Sequence, residues 1–175
     1  MTNRDGDRFE AEFRGGRMNG RCVMTYTDGS RYDGQCLNDQ RNGFGKWTLA
    51  SGDRYEGELR DGLLNGRGVY TWQDGSRYEG DFVDSKRTGR GREVYADGDR
   101  YEGDWVDDDF EGTGTYTWPD GKSYQGEFSD GKPDGRGTFH GSSHDFTGSW
   151  FQGCFRQGEY MAHVMTSAEA CGFDE

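Results

Sequence analysis

Two histidines and a cysteine lie close together towards the C-terminal end of the sequence: His140, His144 and Cys154. Imidazole nitrogen and thiolate sulfur are ligands that zinc prefers in proteins. A structural zinc ion at this point of the chain is therefore the alternative interpretation. The favoured interpretation is that both histidines belong to a turn and that the cysteine packs as a small apolar side chain, so that no cofactor is expected.

Carboxylates are abundant, but their arrangement differs from that of an active site. They recur at intervals of 23 residues, as at Glu79 and Glu102, and form a periodic surface pattern rather than one distinctive acid–base pair. The serines lie in turns without a Gly-x-Ser-x-Gly motif, and the Gly-x-Gly pairs belong to strands rather than to phosphate loops. The sequence therefore predicts a protein without catalytic activity and without an organic cofactor.

Arginine recurs at the same interval, at Arg31, Arg54, Arg77 and Arg100. A row of basic side chains can bind anionic lipid headgroups, but such a site needs a net positive patch. Carboxylates share this face, and the chain has a formal net charge of −12. That charge argues against nucleic acid as a partner, and it makes phosphoinositide or other anionic lipid binding the alternative function rather than the favoured one.

The carboxylates and arginines belong to a longer pattern that repeats through most of the chain. Its clearest copy is Tyr101-Glu102-Gly103-Asp104-Trp105, and successive copies begin 23 residues apart. The copies begin at Phe9, Tyr32, Tyr55, Tyr78, Tyr101 and Tyr124. A fixed period between about 20 and 50 residues is typical of a repeat array, in which each repeat packs only against its neighbours.

Each copy predicts a β-hairpin. Alternation along the first strand, Tyr78–Phe82 in one copy, places the aromatic residues and the glycine on one face and the carboxylates on the other. A loop is predicted from Asp84 to Gly89, followed by a second strand and an Asp-Gly turn into the next copy. The predicted fold is all-β, an elongated single-layer antiparallel β-meander of stacked hairpins with the form of a twisted rod or trough.

Glycine explains how a chain with only 30% hydrophobic residues can form such a sheet. A strand that presents glycine leaves its main chain bare, so that an aromatic ring from a neighbouring position can lie across it. An aromatic contact contributes about 0.5–1.5 kcal/mol beyond area burial, which offsets a cost of up to ~1 kcal/mol for glycine in a strand. We expect the opposite face to be solvated and to carry a ladder of opposite charges.

Three segments differ in how regular the pattern is. Residues 1–8 match the end of a repeat, residues 9–145 hold six copies, and residues 146–175 hold a degenerate seventh copy and a C-terminal cap or tail. Glu93 leaves a gap in the aromatic row, where sister copies have Tyr70 and Tyr116. Because the chain begins with the end of a repeat, we expect it to be the C-terminal part of a longer array.

Four cysteines have neither zinc-ribbon spacing nor the spacing of a disulfide framework: Cys22, Cys36, Cys154 and Cys171. Cys36 takes the position of Leu59 and Phe82 in sister copies, which predicts a small buried apolar residue. The sequence has no apolar run of about 18 residues and no signal-peptide pattern. We therefore expect a soluble protein of the reducing cytoplasm, associated with cytoskeleton or peripheral to a membrane.

Several motifs closely resemble MORN repeats (membrane occupation and recognition nexus): the Tyr-Glu-Gly-Glu/Asp heads, Asn65-Gly66-Arg67-Gly68 and Tyr116-Thr117-Trp118-Pro119-Asp120-Gly121. The resemblance covers roughly residues 5–150. It implies a single-layer β-rod or trough and a scaffolding role at cytoskeletal structures, flagella or membrane junctions, or a targeting role beside an enzyme domain. Some members of the family have zinc near a terminal dimer junction, and the resemblance extends this expectation to the C-terminal end of the present chain.

The C-terminal edge is rich in large apolar residues, and an unpaired sheet edge must be covered or used. This predicts an antiparallel homodimer with two-fold symmetry, with a self-capped monomer as the alternative. The predicted interface consists of Phe146, Trp150, Phe151, Phe155, Tyr160 and Met161.

The aromatic face is a second predicted surface, because a curled sheet would form a trough that receives a partner segment. The alternative is that these rings pack mainly against the array's own glycines. The trough consists of Tyr55, Tyr70, Trp72, Tyr78, Tyr101, Tyr116, Trp118 and Tyr124. The favoured function is a non-catalytic scaffold that dimerises and organises cytoskeleton-associated complexes.

Overall fold

The computed structural model describes residues 1–172 and confirms the all-β fold as one open antiparallel sheet of 15 strands. The strands are β1 (Arg8–Arg14), β2 (Arg17–Thr25), β3 (Arg31–Leu37), β4 (Gln40–Thr48), β5 (Arg54–Arg60), β6 (Leu63–Thr71), β7 (Arg77–Val83), β8 (Lys86–Val94), β9 (Arg100–Val106), β10 (Asp109–Thr117), β11 (Ser123–Ser129), β12 (Lys132–His140), β13 (Asp145–Phe151), β14 (Cys154–Gln157) and β15 (Tyr160–His163). Their order in the sheet is their order in the chain, so β1 and β15 each have one neighbour.

Packing divides the chain into two units, which are described separately below. Unit 1 runs from Met1 to Lys86, and unit 2 begins at Arg87. Within the described residues the only helical element is a single 3-10 turn, Glu169–Cys171. No helix in this part of the chain has the length and apolar character needed to cross a membrane. The last three residues of the predicted C-terminal tail, 173–175, lie outside the described residues.

The loops that close the hairpins are shorter than the sequence predicts. The loop between β7 and β8 is Asp84-Ser85 alone, with φ of 48° and 69°. Two consecutive residues with positive φ match a type I′ turn, whose twist suits adjacent strands. Gly89 lies inside β8 and does not end the loop.

Positive φ at the strand glycines marks a β-bulge instead. In β6, Gly66 has φ of 74°, and the pairing with β5 shifts register between Gly57 and Leu59. A bulge leaves a main-chain N–H without its ladder partner. The equivalent group in β10, the N–H of Thr113, donates to the Asp104 carboxylate at 2.9 Å. The recurrent acidic or amide residue at the fourth position of each head thus has a structural role.

Tyrosine rings lying on glycine form the centre of the core, as the sequence predicts. Tyr55 is buried, and a Cβ atom added to Gly57 or Gly68 would come within 2.5 Å of its side chain. The Tyr55 hydroxyl donates to the carbonyl of Glu58 at 2.7 Å. The same bond recurs at Tyr32, Tyr78, Tyr101 and Tyr124. Each ring therefore needs bare main chain on its own strand and on the next one.

Edge-to-face contacts connect consecutive repeats inside each unit. In unit 1 the rings of Tyr55 and Phe82 are 5.5 Å apart with an interplanar angle of 88°. In unit 2 the rings of Tyr101 and Phe128 are 5.2 Å apart at 86°. These are the geometries that aromatic quadrupoles favour. We call the side of the sheet that carries these tyrosines the ring face.

The opposite face carries the predicted charge ladder. Cross-strand ion pairs join Lys46 to Glu56 at 3.0 Å and Arg67 to Asp81 at 3.7 Å. These side chains are exposed, so each pair contributes less than about 1 kcal/mol to stability. The ladder favours the register of the strands more than it stabilises the fold.

The interpretation of the cysteines is corrected by the structure. Cys36 is buried, as expected, but it is not a free apolar residue, because its sulfur is bonded to Cys22. Cys154 is bonded to Cys171, and no free cysteine is found in the described residues. Disulfides persist mainly in oxidising surroundings. Cysteine spacing therefore no longer supports the expectation of a reducing compartment.

Candidate functional site

The two edges of the sheet differ in how far they are covered. At the first edge, the N-terminal segment pairs with β1: Phe9 donates its N–H to the carbonyl of Met1, and the amino group of Met1 donates to the carbonyl of Phe9, both at 2.8 Å. At the other edge, β15 pairs only with β14. The outer side of β15 therefore presents main-chain donors and acceptors that the sheet itself does not use.

The six residues predicted for a dimer interface divide into two groups. Trp150 and Phe155 are buried in the core, where the Trp150 ring lies 5.3 Å from that of Tyr124. Phe146 is half-buried. The exposed group comprises Phe151, Tyr160 and Met161, whose accessible fractions are 74%, 69% and 42%. Only this second group is available to a partner without unfolding the last repeats.

β15 is held in place by the segment that follows it. Val164 is buried and donates its N–H to the carbonyl of Gly153 at 2.8 Å. The disulfide between Cys154 and Cys171 joins the 3-10 turn to β14. The register of β15 is fixed by pairs such as Phe155 with Ala162. A short strand that would fray by itself is therefore restrained at the edge.

The rings predicted to line an open trough are mostly part of the core. Tyr55, Tyr78, Tyr101, Tyr116 and Tyr124 are buried, and Tyr70, Trp72 and Trp118 are half-buried. The hydroxyl of Tyr70 donates to Asp53 at 3.1 Å, and burial followed by the charge of Asp53 raises the pKa of Tyr70 to about 12. A partner segment can therefore reach only the half-buried rings of this set.

Two of the four arginines in the predicted row are paired with carboxylates. Arg31 lies 3.6 Å from Asp33, and Arg77 lies 2.7 Å from Glu79. Neither Arg54 nor Arg100 makes an ion pair within residues 1–172. The four side chains do not form one uniform basic surface.

The three residues predicted to bind zinc are not brought together. His140 is 2.9 Å from Asp145, and the His144 ring contacts the hydroxyl of Ser143. The sulfur of Cys154 is bonded to Cys171, so no thiolate is present to act as a ligand. Across the described residues, no group of three or more potential metal ligands is found. The predicted combination of imidazole and thiolate is therefore incompatible with this disulfide.

Glu93 is a buried charged residue whose surroundings the sequence did not predict. Its carboxylate is 3% exposed and receives hydrogen bonds from Arg87 at 2.6 Å and from the Tyr95 hydroxyl at 2.9 Å. The Arg87 guanidinium also lies 4.4 Å from the centre of the Trp105 ring. Burial raises the pKa of the Glu93 carboxyl, and the positive charge of Arg87 partly opposes that shift.

A sequence signal for this cluster does exist. Arg87 and Glu93 take the two positions that hold Leu64 and Tyr70 in one sister repeat and Phe110 and Tyr116 in another. Two apolar positions on the same face thus become charged with opposite sign in the same repeat. The gap in the aromatic row is filled by an ion pair.

These features define a class: a protein built from tandem β-hairpins, whose exposed surfaces are sheet faces and one open edge. The MORN repeat model matches residues 9–31, 32–54, 55–77, 78–100, 101–123 and 124–146, and the chain belongs to the MORN-repeat family. A search of curated protein sequences finds no match to the chain.

Solved structures of two TCP domains show a weak likeness. The TCP domain of Drosophila melanogaster SAS-4 (dCPAP), in complex with a proline-rich motif of Ana2 (dSTIL), is 12% identical with a TM-score of 0.47, over 86% of this chain and 88% of that one. The TCP10 domain of Danio rerio CPAP, in complex with a STIL peptide, is 15% identical with a TM-score of 0.28, over 79% and 71%. Neither likeness carries a functional argument.

Proposed function

We propose that this chain is a non-catalytic assembly module that forms an antiparallel homodimer through its C-terminal edge strand β15. The observation that carries the proposal is the open side of β15, a strand on which Tyr160 and Met161 are exposed, with Phe151 exposed two strands away on β13. Unpaired strand edges with exposed apolar side chains readily pair with another chain. A second copy of the same edge provides a matching set of donors and acceptors.

Two-fold symmetry suits this edge. Antiparallel pairing of two β15 strands is self-complementary, since each copy offers the same residues to the other. Tyr160 lies on the face of Phe155, whereas Met161 lies on the face of Phe151 and Arg156. Apolar side chains are therefore present on both sides of the shared strand pair, and burying them adds to the main-chain hydrogen bonds.

Light scattering coupled to size exclusion tests the proposal. The wild-type chain should have the dimer mass at high micromolar concentration, and Tyr160→Lys with Met161→Lys should give the monomer mass, because two charges would be buried at the pair. The matched control is Val106→Lys, an equally exposed apolar residue of unit 2 on β9, which should leave the dimer intact. A monomeric wild type, or a dimeric double variant, would overturn the proposal.

Two further parts of the proposed role depend on the family and not on the edge. Organisation of cytoskeleton-associated complexes is the role implied by membership of the MORN family. Binding of anionic lipid headgroups by the arginine row is the alternative function, and it is weakened by the pairing of Arg31 and Arg77 with carboxylates. The half-buried Tyr70, Trp72 and Trp118 are the rings that remain accessible for a partner segment.

A further inference from the structure

Unit 2 has a groove of about 740 Å³ on the face opposite the rings. Three threonines of β10 (Thr113, Thr115 and Thr117) line its centre, and the main chain of Gly103, Gly114 and Gly126 also borders it. Four arginines line it as well: Arg90, Arg92, Arg100 and Arg136. Its lining thus contains four arginines, two carboxylates (Glu102 and Glu127), hydroxyl donors and exposed main chain.

The arginines in the lining outnumber the carboxylates by four to two, and most of these arginines make no ion pair with residues 1–172. Arg90 pairs with Asp104 at 3.0 Å. The other three, Arg92, Arg100 and Arg136, make no ion pair within the described part of the chain. Exposed arginine without a counter-ion is a ready partner for carboxylate or phosphate, which its planar donor fork can bind at two points.

The same face of unit 1 has a different charge balance. There Lys46, Arg67 and Arg77 each pair with a carboxylate, and Arg54 is an exposed arginine without an ion pair in the described residues. The contrast has a source in the sequence, because Gln125 stands where the other repeats have Asp33, Glu56, Glu79 and Glu102. One carboxylate is thereby lost from the ladder at the groove.

Glu102 also lines the groove, lies opposite Arg92 in the register of β8 and β9, and makes no ion pair in the described part of the chain. Two other carboxylates here, Glu127 and Asp104, already have partners. Glu127 lines the groove, but it accepts the N–H of Arg136 at the β12 bulge. Asp104 accepts both the N–H and the hydroxyl of Thr113, each at 2.9 Å. Although burial raises the pKa of Asp104, these hydrogen bonds and Arg90 outweigh it and lower that pKa. Both groups are therefore committed to holding the strands.

We propose that this groove binds an anionic stretch of a partner polypeptide, with Arg92, Arg100 and Arg136 pairing with its carboxylate or phosphate groups. The threonine hydroxyls of β10 donate additional hydrogen bonds to the same groups or to the peptide carbonyls. The recess favours a narrow chain, which can enter between the arginines. A membrane plane would instead meet the exposed carboxylates of a molecule with net charge −12.

Nucleic acid fits the groove less well for the same reason. Binding to a phosphate backbone depends on several phosphate contacts along a continuous basic track. Three arginines in one recess provide a few contacts, and the rest of the chain repels a polyanion of greater length. The groove and β15 are separate surfaces, so failure of this proposal leaves the homodimer proposal untouched.

Fluorescence anisotropy tests the groove with two labelled probes, a hexaglutamate peptide and a peptide of alternating phosphoserine and glycine. At least one should bind, and its affinity should fall with salt. A triple variant, Arg92→Gln, Arg100→Gln and Arg136→Gln, should weaken binding on the order of 100-fold, at about fivefold for each lost ion pair. The ratio between the probes distinguishes carboxylate from phosphate recognition.

The matched control removes the same charge from unit 1: Arg14→Gln, Arg17→Gln and Arg54→Gln, three exposed arginines without an ion pair in the described residues. It should change the affinity by less than about twofold, because it leaves the groove intact. Equal losses in both triple variants, equal binding of hexaglutamine, or no binding of either anionic probe would overturn the proposal. So would flotation with phosphatidylserine vesicles that the groove variant abolishes, since the partner would then be a membrane.

Discussion

Glu93 shows how one residue changes the chemistry of an otherwise uniform core. Sister repeats fill its position with Tyr70 or Tyr116, whereas here a buried carboxylate is held between Arg87 and Tyr95. The attraction between two buried charges offsets the cost of removing both from water but adds little net stability. Loss of one partner is different, because it leaves a charge buried without compensation.

A single and a double substitution in this cluster should have opposite effects on stability. Arg87→Leu should lower the free energy of unfolding by about 3–5 kcal/mol, since Glu93 loses its positive partner. Arg87→Leu with Glu93→Tyr restores the pair found at Leu64 and Tyr70, and should be neutral or stabilising by about 1–4 kcal/mol. Urea unfolding measures both. Arg90→Leu, which breaks an exposed pair on the same strand, should cost less than about 1 kcal/mol.

The raised pKa of Glu93 predicts how that double variant depends on pH. A carboxyl whose folded pKa exceeds its unfolded value of about 4.3 stabilises the protein at low pH and loses this contribution as pH rises through the folded pKa. The double variant lacks the group, so its stability advantage over wild type should grow as pH rises from about 4 through the folded pKa. An advantage that shrinks over this range would mean that Arg87 dominates and that the pKa is lowered.

At the scale of the strand, the tyrosine ring and the glycine beneath it act as one structural element. A Cβ on Gly68 would lie 2.5 Å from Cε2 of Tyr55, and the nearest atoms it would meet all belong to that ring. Gly68→Ala should therefore cost about 1–3 kcal/mol or more by overpacking. Tyr55→Ala should cost about 3–5 kcal/mol.

A double-mutant cycle reveals whether the two residues act together. In the Tyr55→Ala background, Gly68→Ala should cost much less, which gives a coupling of about 1–3 kcal/mol in urea unfolding. Gly62→Ala is the control, because its Cβ would meet nothing within 4 Å and only its φ of +85° is unfavourable. That change should cost about 1–2 kcal/mol whether or not Tyr55 is present. Additive costs for Tyr55 and Gly68 would contradict the packing described.

The disulfide between β2 and β3 predicts a dependence on reductant. Cys22 and Cys36 are 14 residues apart, and closing a loop of that length stabilises a protein by about 3 kcal/mol through the entropy of the unfolded chain. Dithiothreitol should therefore lower the urea midpoint. Cys22→Ala with Cys36→Ala should start at lower stability and lose less on reduction. Four thiols that react in the unfolded, unreduced protein would show that neither bond forms.

Most of the strands and turns could be predicted from the sequence, because each of them is determined by residues close together in the chain. The interval of 23 residues, the alternation within Tyr78–Phe82 and the Asp-Gly turns each determine a strand or its end. The predicted loop after β7 extends to Gly89, whereas the loop in the structure ends at Ser85 and Gly89 lies inside β8. A glycine at this position fits either a turn or a β-bulge, and only the pairing of the strands distinguishes the two. In both cases the glycine needs positive φ.

The disulfides, the burial of the C-terminal aromatic residues and the Glu93 cluster could not be predicted, because they depend on which residues meet across strands. Cys22 and Cys36 have no spacing that marks a disulfide, yet β2 and β3 bring them together. Trp150 and Phe155 are as apolar as Met161, and only the packing of the last repeats decides that the first two are core and the third is exposed. Glu93 could be recognised as irregular from the sequence, but its partner Arg87 lies six positions away on the same face.

At the scale of the whole molecule, we assign function to surfaces that the packing of the repeats leaves exposed rather than to the repeats themselves. The tyrosine rings are buried in the core, and many of the charged side chains of the ladder pair with one another. Within residues 1–172, the open edge at β15 and the arginine groove of unit 2 are the two surfaces for which we propose partners. One surface suits a second copy of the chain, and the other suits an anionic partner segment.

Amide hydrogen exchange, followed by mass spectrometry at low and high protein concentration, tests the self-association of β15 most directly. If two copies pair through this strand, the amides of Tyr160–His163 should exchange at least tenfold more slowly at about 100 μM than at about 1 μM. The amides of β1, at the other edge, should exchange at the same rate at both concentrations. Concentration-independent exchange in β15, in a sample whose mass is that of a dimer, would place the interface elsewhere and contradict the account.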